Sequence, residues 1–200
     1  KILFYMSNIK KILLNKDSCK SIWFMRQAGR YLPEFRAIRS KNADFIKLCL
    51  NSELSSEITL QPIKRFDLDA AIIFSDILMI PFALGQNVSF NKDHGPELSN
   101  FDLKLLLKNN EKKFTEKLNP VYKAIEITKK KLDKSKSLIS FIGAPWTLLI
   151  YMLGLRKNKH EINVEKLNQN KLLIEQVLET VIKYSCTHIK NQINAGADVV

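Results

Sequence analysis

Two rhythms alternate along this chain of 200 residues. Residues 68–74 (LDAAIIF) and 138–142 (LISFI) are short runs, apolar on both faces, as in strands buried inside a parallel sheet, and residues 22–25 (IWFM) form a shorter run. Between such runs the apolar positions recur every three or four residues, the spacing of a helix with one buried face. Residues 44–66 carry Phe45, Leu48 and Cys49 on one stripe, which Leu54, Ile58 and Ile63 continue after an interruption at Asn51-Ser52. A short helix is predicted over 77–84, stopped by Gly85, followed by an edge strand over 88–90 and a turn over 93–96. One or two basic helices cover 101–132, with a break near Asn119-Pro120, and a helical stretch follows Gly143-Ala144-Pro145-Trp146. A long helix over 169–193 brings Leu172, Leu173, Gln176, Val177, Thr180, Val181, Tyr184 and His188 close to one flank. The last residues read as a helix end, a turn at Gly196 and the start of another buried strand, so the chain is expected to be part of a longer one. Strand and helix in alternation, with fully apolar strands, predict an α/β fold around a parallel sheet. Spacing does not separate an open doubly wound sheet from a closed barrel.

Composition narrows the class. Hydrophobic residues make up 46% and charged residues 26%, the balance of a chain that buries a core, which excludes disorder, collagen-like repeats and low-complexity structure. The formal charge is +12, yet 26 of the 32 cations are Lys, accompanied by 22 Ile and 16 Asn. That usage is expected where an AT-rich genome drifts neutral surface positions. Eleven Lys against five acids between residues 101 and 136 fit a solvated helix surface, and only Phe101, Phe114 and Tyr122 interleave with them, unlike a nucleic-acid-binding face. Arginine behaves differently. Five of the six (Arg26, Arg30, Arg36, Arg39 and Arg65) lie within 40 residues, and the guanidinium fork suits two-pronged binding of carboxylate or phosphate. Cys19, Cys49 and Cys186 are an odd count without close spacing, which argues against a disulfide scaffold and for a reducing compartment, the cytoplasm by default. In the opening segment Ser7, Asn8, Lys10 and Lys11 break the apolar run and no small-residue cleavage site follows, so no secretory signal is predicted. The uncharged run 138–155 is 18 residues long, the lower edge for a membrane span. Gly143 and Pro145 interrupt it, and a buried strand turning into a packed helix is expected instead.

Three polar clusters directly follow the predicted strands, where parallel α/β folds build their active sites. No GxGxxG or GxxxxGK[ST] phosphate loop is present. In the first cluster Arg26 and Arg30 are four residues apart across Gln27, Ala28 and Gly29, so both forks and some backbone N–H groups can turn to one anion. They equally fit a strand-end cap and a surface pair with Glu34. Asp76 ends an apolar strand and reads either as the N-cap of the helix beginning at Ile77 or as a functional carboxylate with limited water. Tyr151, set among apolar residues, reads either as a core residue with a satisfied hydroxyl or as a binding group. Cys186 and His188 are two residues apart on a helix, so their side chains point in different directions. His94 and His160 stand alone, and no HExxH or CxxC occurs, so no metal site is predicted.

Taken together, these segments resemble the uroporphyrinogen decarboxylase family. IWFMRQAGRYLPEFR is similar to that family's N-terminal signature almost residue for residue, and TLQPIKRF, LDAAIIFSDIL and FIGAPWTLLIYM resemble further family blocks in the right order, so that the likeness runs from about Asn15 to Val200. The resemblance implies a (β/α)8 TIM barrel, here only its first half or slightly more, as a single domain truncated at the C-terminal side with residues 1–14 a non-core extension. It implies decarboxylation of the four acetate side chains of uroporphyrinogen to give coproporphyrinogen, without metal or organic cofactor, by a homodimer that needs neither nucleic acid nor membrane. The family's catalytic positions would fall on Asp76, Arg26 and Arg30, and its substrate contacts on Arg26, Gln27, Ala28, Gly29, Arg30, Arg39, Asp76 and Tyr151. An octacarboxylate substrate gives the arginine cluster a reason. After the tyrosine the family commonly has a Gly-rich loop, whereas residues 152–160 here carry one Gly and four basic residues. A serine and a histidine of the family's site would lie beyond Val200. The alternative on the same barrel is a corrinoid- or thiol-dependent methyltransferase, which binds zinc through a His-x-Cys set in the half not present and does not usually carry MRQAGRYLPE.

Overall fold

A computed structural model describes residues 7–15, 20–91, 95–156, 161–169 and 171–200. Along the chain the helices are α1 (Asn8–Leu13), α2 (Pro33–Lys41), α3 (Phe45–Cys49), α4 (Ser52–Phe66), α5 (Met79–Ala83), α6 (Leu103–Leu107), α7 (Glu111–Lys131), α8 (Pro145–Met152), α9 (Val164–Gln169) and α10 (Lys171–Asn194). The strands are β1 (Ala70–Ile72), β2 (Val88–Asn91), β3 (Gly95–Leu98) and β4 (Ser137–Ile139). Two compact units result: Lys1–Ser75 with Pro120–Phe141 and Asn191–Val200, and Asp76–Asn119 with Ile142–Lys190.

The first unit holds the parallel sheet. β1 pairs with β4 so that Ala71 faces Leu138, and Ile139 bridges in parallel to Val199, which gives three strand segments side by side in chain order. The expected strands at 68–74 and 138–142 are thus present with shorter paired cores. The expected turn after the long helix is present too: α10 ends at Asn194, Gly196 takes φ +110°, and the chain enters the sheet at Val199. One face of the sheet packs Ala71, Ile73 and Leu138 against Leu60 of α4 and Ala124, Ile125 and Leu132 of α7 or just beyond it. The other packs Ala70 and Ile139 against Ile9 of α1. Asp198, at the mouth of the last segment, accepts from Leu138 N at 2.8 Å, from Lys10 Nζ at 3.1 Å and from Lys129 Nζ. Ser7 and Ser137 also share a hydrogen bond. Ser7 and Ile9 are thus buried against the sheet, while Leu13 at the end of α1 is exposed.

Two corrections concern local structure. Residues 22–25 form no strand. Ile22 meets the edge of β1 only at its start, where its N–H donates to Asp69 Oδ2 (2.7 Å) and its carbonyl accepts from Asp69 N (2.9 Å), and Trp23, Phe24 and Met25 are exposed. α7 runs without a break through Pro120. An interior proline costs a helix about 3 kcal/mol, and the buried stripe Leu118, Val121, Tyr122, Ala124, Ile125 and Thr128 on both sides of it outweighs that loss.

In the second unit β2 and β3 form an antiparallel hairpin, and Gln86 Nε2 ties it down by donating to the carbonyls of Ser99 (2.7 Å) and Met152 (2.9 Å). The expected turn residues 93 and 94 lie outside the described residues. The long uncharged run 138–155 splits into β4 and α8, and no helix among the described residues is long and apolar enough to cross a membrane. On α10 the buried stripe begins at Val177 and continues through Val181, Tyr184 and His188, while Leu172 is exposed. His188 lies edge-on to Phe114, and burial lowers its pKa to about 4. Cys186 is exposed where His188 is buried, so the two side chains lie on different faces of α10.

Candidate active site

The loop carrying Arg26 and Arg30 is built in the first unit from its own side chains. Gln27 is buried, and its carboxamide takes the place of a strand neighbour to β1, donating to Ala70 O (2.8 Å) and accepting from Ile72 N (3.1 Å). Ala28 and Leu32 pack with Phe35 of α2, Leu48 of α3 and Ile58 of α4. Gly29 O accepts from Leu32 N (3.0 Å), the Tyr31 hydroxyl donates to Gln27 O, and Arg36 Nη1 donates to Arg30 O (2.7 Å). Pro33 then opens α2, where its missing N–H and fixed φ suit the first turn. The loop is held at each residue from 27 to 32.

One of the two readings of the arginines, a surface pair with Glu34, is not what the structure holds. Glu34 pairs with Arg65, in a two-pronged bridge with Nη2 to Oε2 at 3.0 Å and Nε to Oε1 at 3.2 Å, so it partners neither Arg26 nor Arg30. Among the described residues neither Arg26 nor Arg30 makes an ion pair or a side-chain hydrogen bond, and both are exposed. Two guanidiniums beside a fixed loop, with no acid of the described residues paired to them, are a donor set of the kind that suits an anion. Arg39 differs. Its Nη1 donates to the carbonyls of Asn42 and Ala43 (2.7 Å to the latter) at the end of α2, and its guanidinium lies over the Phe45 ring at 5.6 Å. It closes a helix terminus as it stands.

Asp76 and Tyr151 belong to the second unit. Asp76 is half-buried and is not an N-cap: α5 begins at Met79 rather than Ile77, and Asp76 Oδ1 accepts from Leu78 N (2.8 Å) two residues on, in a tight side-chain turn. Its Oδ2 has no partner among the described residues. Burial pushes the carboxyl above its ordinary value of 3.8, opposed by the Leu78 N–H bond. The next residue, Ile77, packs on Gly143, where a Cβ would lie 3.0 Å from Ile77 Cβ and 2.6 Å from Leu148 Cδ2. Glycine at 143 is what lets the turn into α8 approach this closely. Tyr151, in the last turn of α8, is half-buried and accepts a hydrogen bond at its hydroxyl from Arg156 Nη1 (3.0 Å), so it is not a sequestered core residue. Sequence reasoning did not single out Arg156, although its place in the basic stretch 152–160 was the available signal.

The sequence profile described as "Uroporphyrinogen decarboxylase (URO-D)" matches residues 18–200. The chain belongs to the uroporphyrinogen decarboxylase family. It is 47% identical to the uroporphyrinogen decarboxylase of Orientia tsutsugamushi (strain Ikeda) over 180 residues, which is 90% of this chain and 52% of that protein. It is 41% identical over 196 residues to the one from Rickettsia bellii, covering 98% of this chain and 58% of that protein. The chain thus spans about half the length of the curated relatives it matches. Among solved structures, a methyltransferase from Methanosarcina mazei superposes with TM-score 0.66 at 16% identity, over 96% of this chain and 56% of that one. That likeness speaks to fold alone. With the family match it makes this family member an α/β fold of the TIM-barrel type.

Proposed function

We propose that the complete gene product is a decarboxylase that removes the four acetate carboxyls of uroporphyrinogen to give coproporphyrinogen, and that these 200 residues are the first half or slightly more of its barrel. The observation that carries this reading is the loop held from residue 27 to 32, on which Arg30 and the adjoining Arg26 have no partner among the described residues, in a chain whose family profile covers residues 18–200. A pyrrole acetate loses CO2 only when the electrons of the breaking C–C bond have an acceptor. Protonation of the ring carbon next to the one bearing the acetate makes a cationic ring, the bond to the carboxylate breaks into that ring to leave an exocyclic C=CH2, a second proton on that CH2 completes the methyl group, and the first proton leaves the ring carbon to restore the pyrrole. Atoms balance as one carboxylate and one net proton giving CH3 and CO2, with no external electron acceptor.

In this scheme Asp76 accepts hydrogen bonds from the pyrrole N–H groups through the oxygen that the Leu78 turn leaves free, and it stabilises the developing cation. Its burial makes the effect stronger than it would be in water. Arg26 and Arg30, with the backbone N–H groups of Gln27, Ala28 and Gly29, hold substrate carboxylates, and one of the two arginines assists proton delivery. Arg39 reaches a further carboxylate by giving up its hold on the Asn42 and Ala43 carbonyls. Tyr151 binds substrate through its hydroxyl. The scheme asks for no metal or organic cofactor. The protein acts in the cytoplasm as a homodimer. Turnover of uroporphyrinogen by the complete gene product tests the roles: Asp76→Ala should lower kcat at least 100-fold, as removal of an electrostatic stabiliser does, while Lys113→Ala on exposed α7 should leave it unchanged. Equal effects of the two, or full activity without Asp76, would refute the assignment.

A further inference from the structure

The basic stretch after Tyr151 departs from the Gly-rich continuation that the family resemblance implies, and its first basic residue is placed by a defined turn. α8 ends at Met152 with Leu153 as its cap, Gly154 takes φ +58°, Gly154 N donates to Tyr151 O (3.2 Å) and Leu155 N to Ile150 O (3.0 Å). This left-handed closure reverses the chain. Leu155 is buried, its carbonyl accepts from Asn163 N (2.8 Å), and Arg156 bridges in antiparallel fashion to Ile162. The guanidinium is thereby laid back on the helix it has just left, with its Cζ 5.1 Å from the centroid of the Tyr151 ring and Nη1 3.0 Å from the hydroxyl oxygen.

We propose that Arg156 and Tyr151 form a carboxylate-binding pair that holds one carboxylate of the porphyrinogen, a contact not implied by the resemblance and resting on the decarboxylase reading above. Among the described residues the guanidinium spends one N–H on the phenol oxygen and keeps four. Because the phenol oxygen already accepts from Arg156, its own O–H is left to donate. A free O–H beside a cationic fork is a donor set that suits a carboxylate and has no use for a neutral or cationic ligand. Stacking on the ring preorganises the guanidinium, so that less rotamer freedom is lost when the anion arrives. Among the described residues Arg156 makes no ion pair, so none of their carboxylates competes for it.

Uroporphyrin, the stable oxidised octacarboxylate, serves as a binding probe that needs no turnover, and uroporphyrinogen turnover is followed beside it on the complete gene product. Arg156→Gln should weaken uroporphyrin binding about 10-fold, which is about 1.4 kcal/mol, and raise KM by a similar factor with kcat within about 2-fold, the signature of uniform binding. Arg156→Lys keeps the charge without the fork and should recover part of the loss. In a Tyr151→Phe background the Arg156→Gln effect should shrink, because the two donors act as one unit. Unchanged binding in Arg156→Gln, or a fall in kcat at constant KM, would overturn the proposal and leave Arg156 as a residue that only orients Tyr151. A complete gene product that binds uroporphyrin through Arg156 but does not turn over uroporphyrinogen would refute the decarboxylase reading while upholding the carboxylate pair.

Discussion

Replacing Asp198 should destabilise the first unit more than any other single carboxylate change, by an amount that its surroundings allow to be worked out. Its side chain is 7% exposed and accepts from two lysines and from the backbone of β4, where Leu138 is fully buried. Truncation to alanine deprives the Leu138 N–H of its side-chain acceptor, a loss of about 1–3 kcal/mol. The Lys10 and Lys129 side chains are 43% and 37% exposed, so once unpaired they rehydrate, and each pair contributes only about 0–1 kcal/mol. The sum is about 1–5 kcal/mol for Asp198→Ala. Asp198→Asn retains an acceptor for Leu138 N and should cost about 1 kcal/mol. Urea unfolding gives the totals, and hydrogen exchange at the Leu138 amide shows whether the loss is local. The acid arm has a definite sign. Burial pushes the Asp198 carboxyl up, but the Leu138 N–H and the Lys129 and Lys10 ammonium groups together outweigh it and hold the pKa below 3.8. A depressed carboxyl contributes stability that is present above its unfolded pKa and lost as pH falls through the folded value. Wild type should therefore lose its advantage over Asp198→Asn below about pH 4. An alanine variant within about 0.5 kcal/mol of wild type, or an asparagine variant as damaged as the alanine one, would refute this account of the network.

Gly143→Ala should lower stability by about 1–3 kcal/mol through overpacking, because the added Cβ would stand 2.6 Å and 2.9 Å from Leu148 atoms and 3.0 Å from Ile77 Cβ; a thermal melt that does not move would show that the turn yields freely. For Asp76 the burial-raised pKa means that the fold favours the neutral acid, so its contribution to stability is present below 3.8 and is lost as pH rises through the higher folded value. Asp76→Asn should accordingly gain stability relative to wild type on going from acid to neutral pH, measured by thermal melts across that range. If the anion is the working form, kcat/KM should show an acid limb displaced above 3.8, and a limb at or below that value would count against burial as the controlling effect.

Much of the fold was legible along the chain because it depends on local rules. Apolar runs long enough to be buried on both faces became β1 and β4, the interruption at Asn51-Ser52 separates α3 from α4, and Gly196 closed α10. Elements that misled did so through partners lying far away in sequence. Residues 22–25 have the composition of a strand, but Gln27's carboxamide occupies the edge of β1 that they would pair with, and Pro120 breaks no helix because the residues around it are buried.

The sequence by itself determined the family, the parallel α/β pattern and the clustering of arginines after the first apolar run, since these follow from residue type and near-neighbour spacing. Only the tertiary structure decided which of those side chains find partners among the described residues. Arg65, 31 residues from Glu34, takes the acid that Arg30 could have used, and Arg156 reaches the Tyr151 hydroxyl because Gly154 reverses the chain. Whether a charge is neutralised at home or left for a ligand depends on distances of about 3 Å between side chains, and spacing along the chain does not encode those distances once it has turned back on itself.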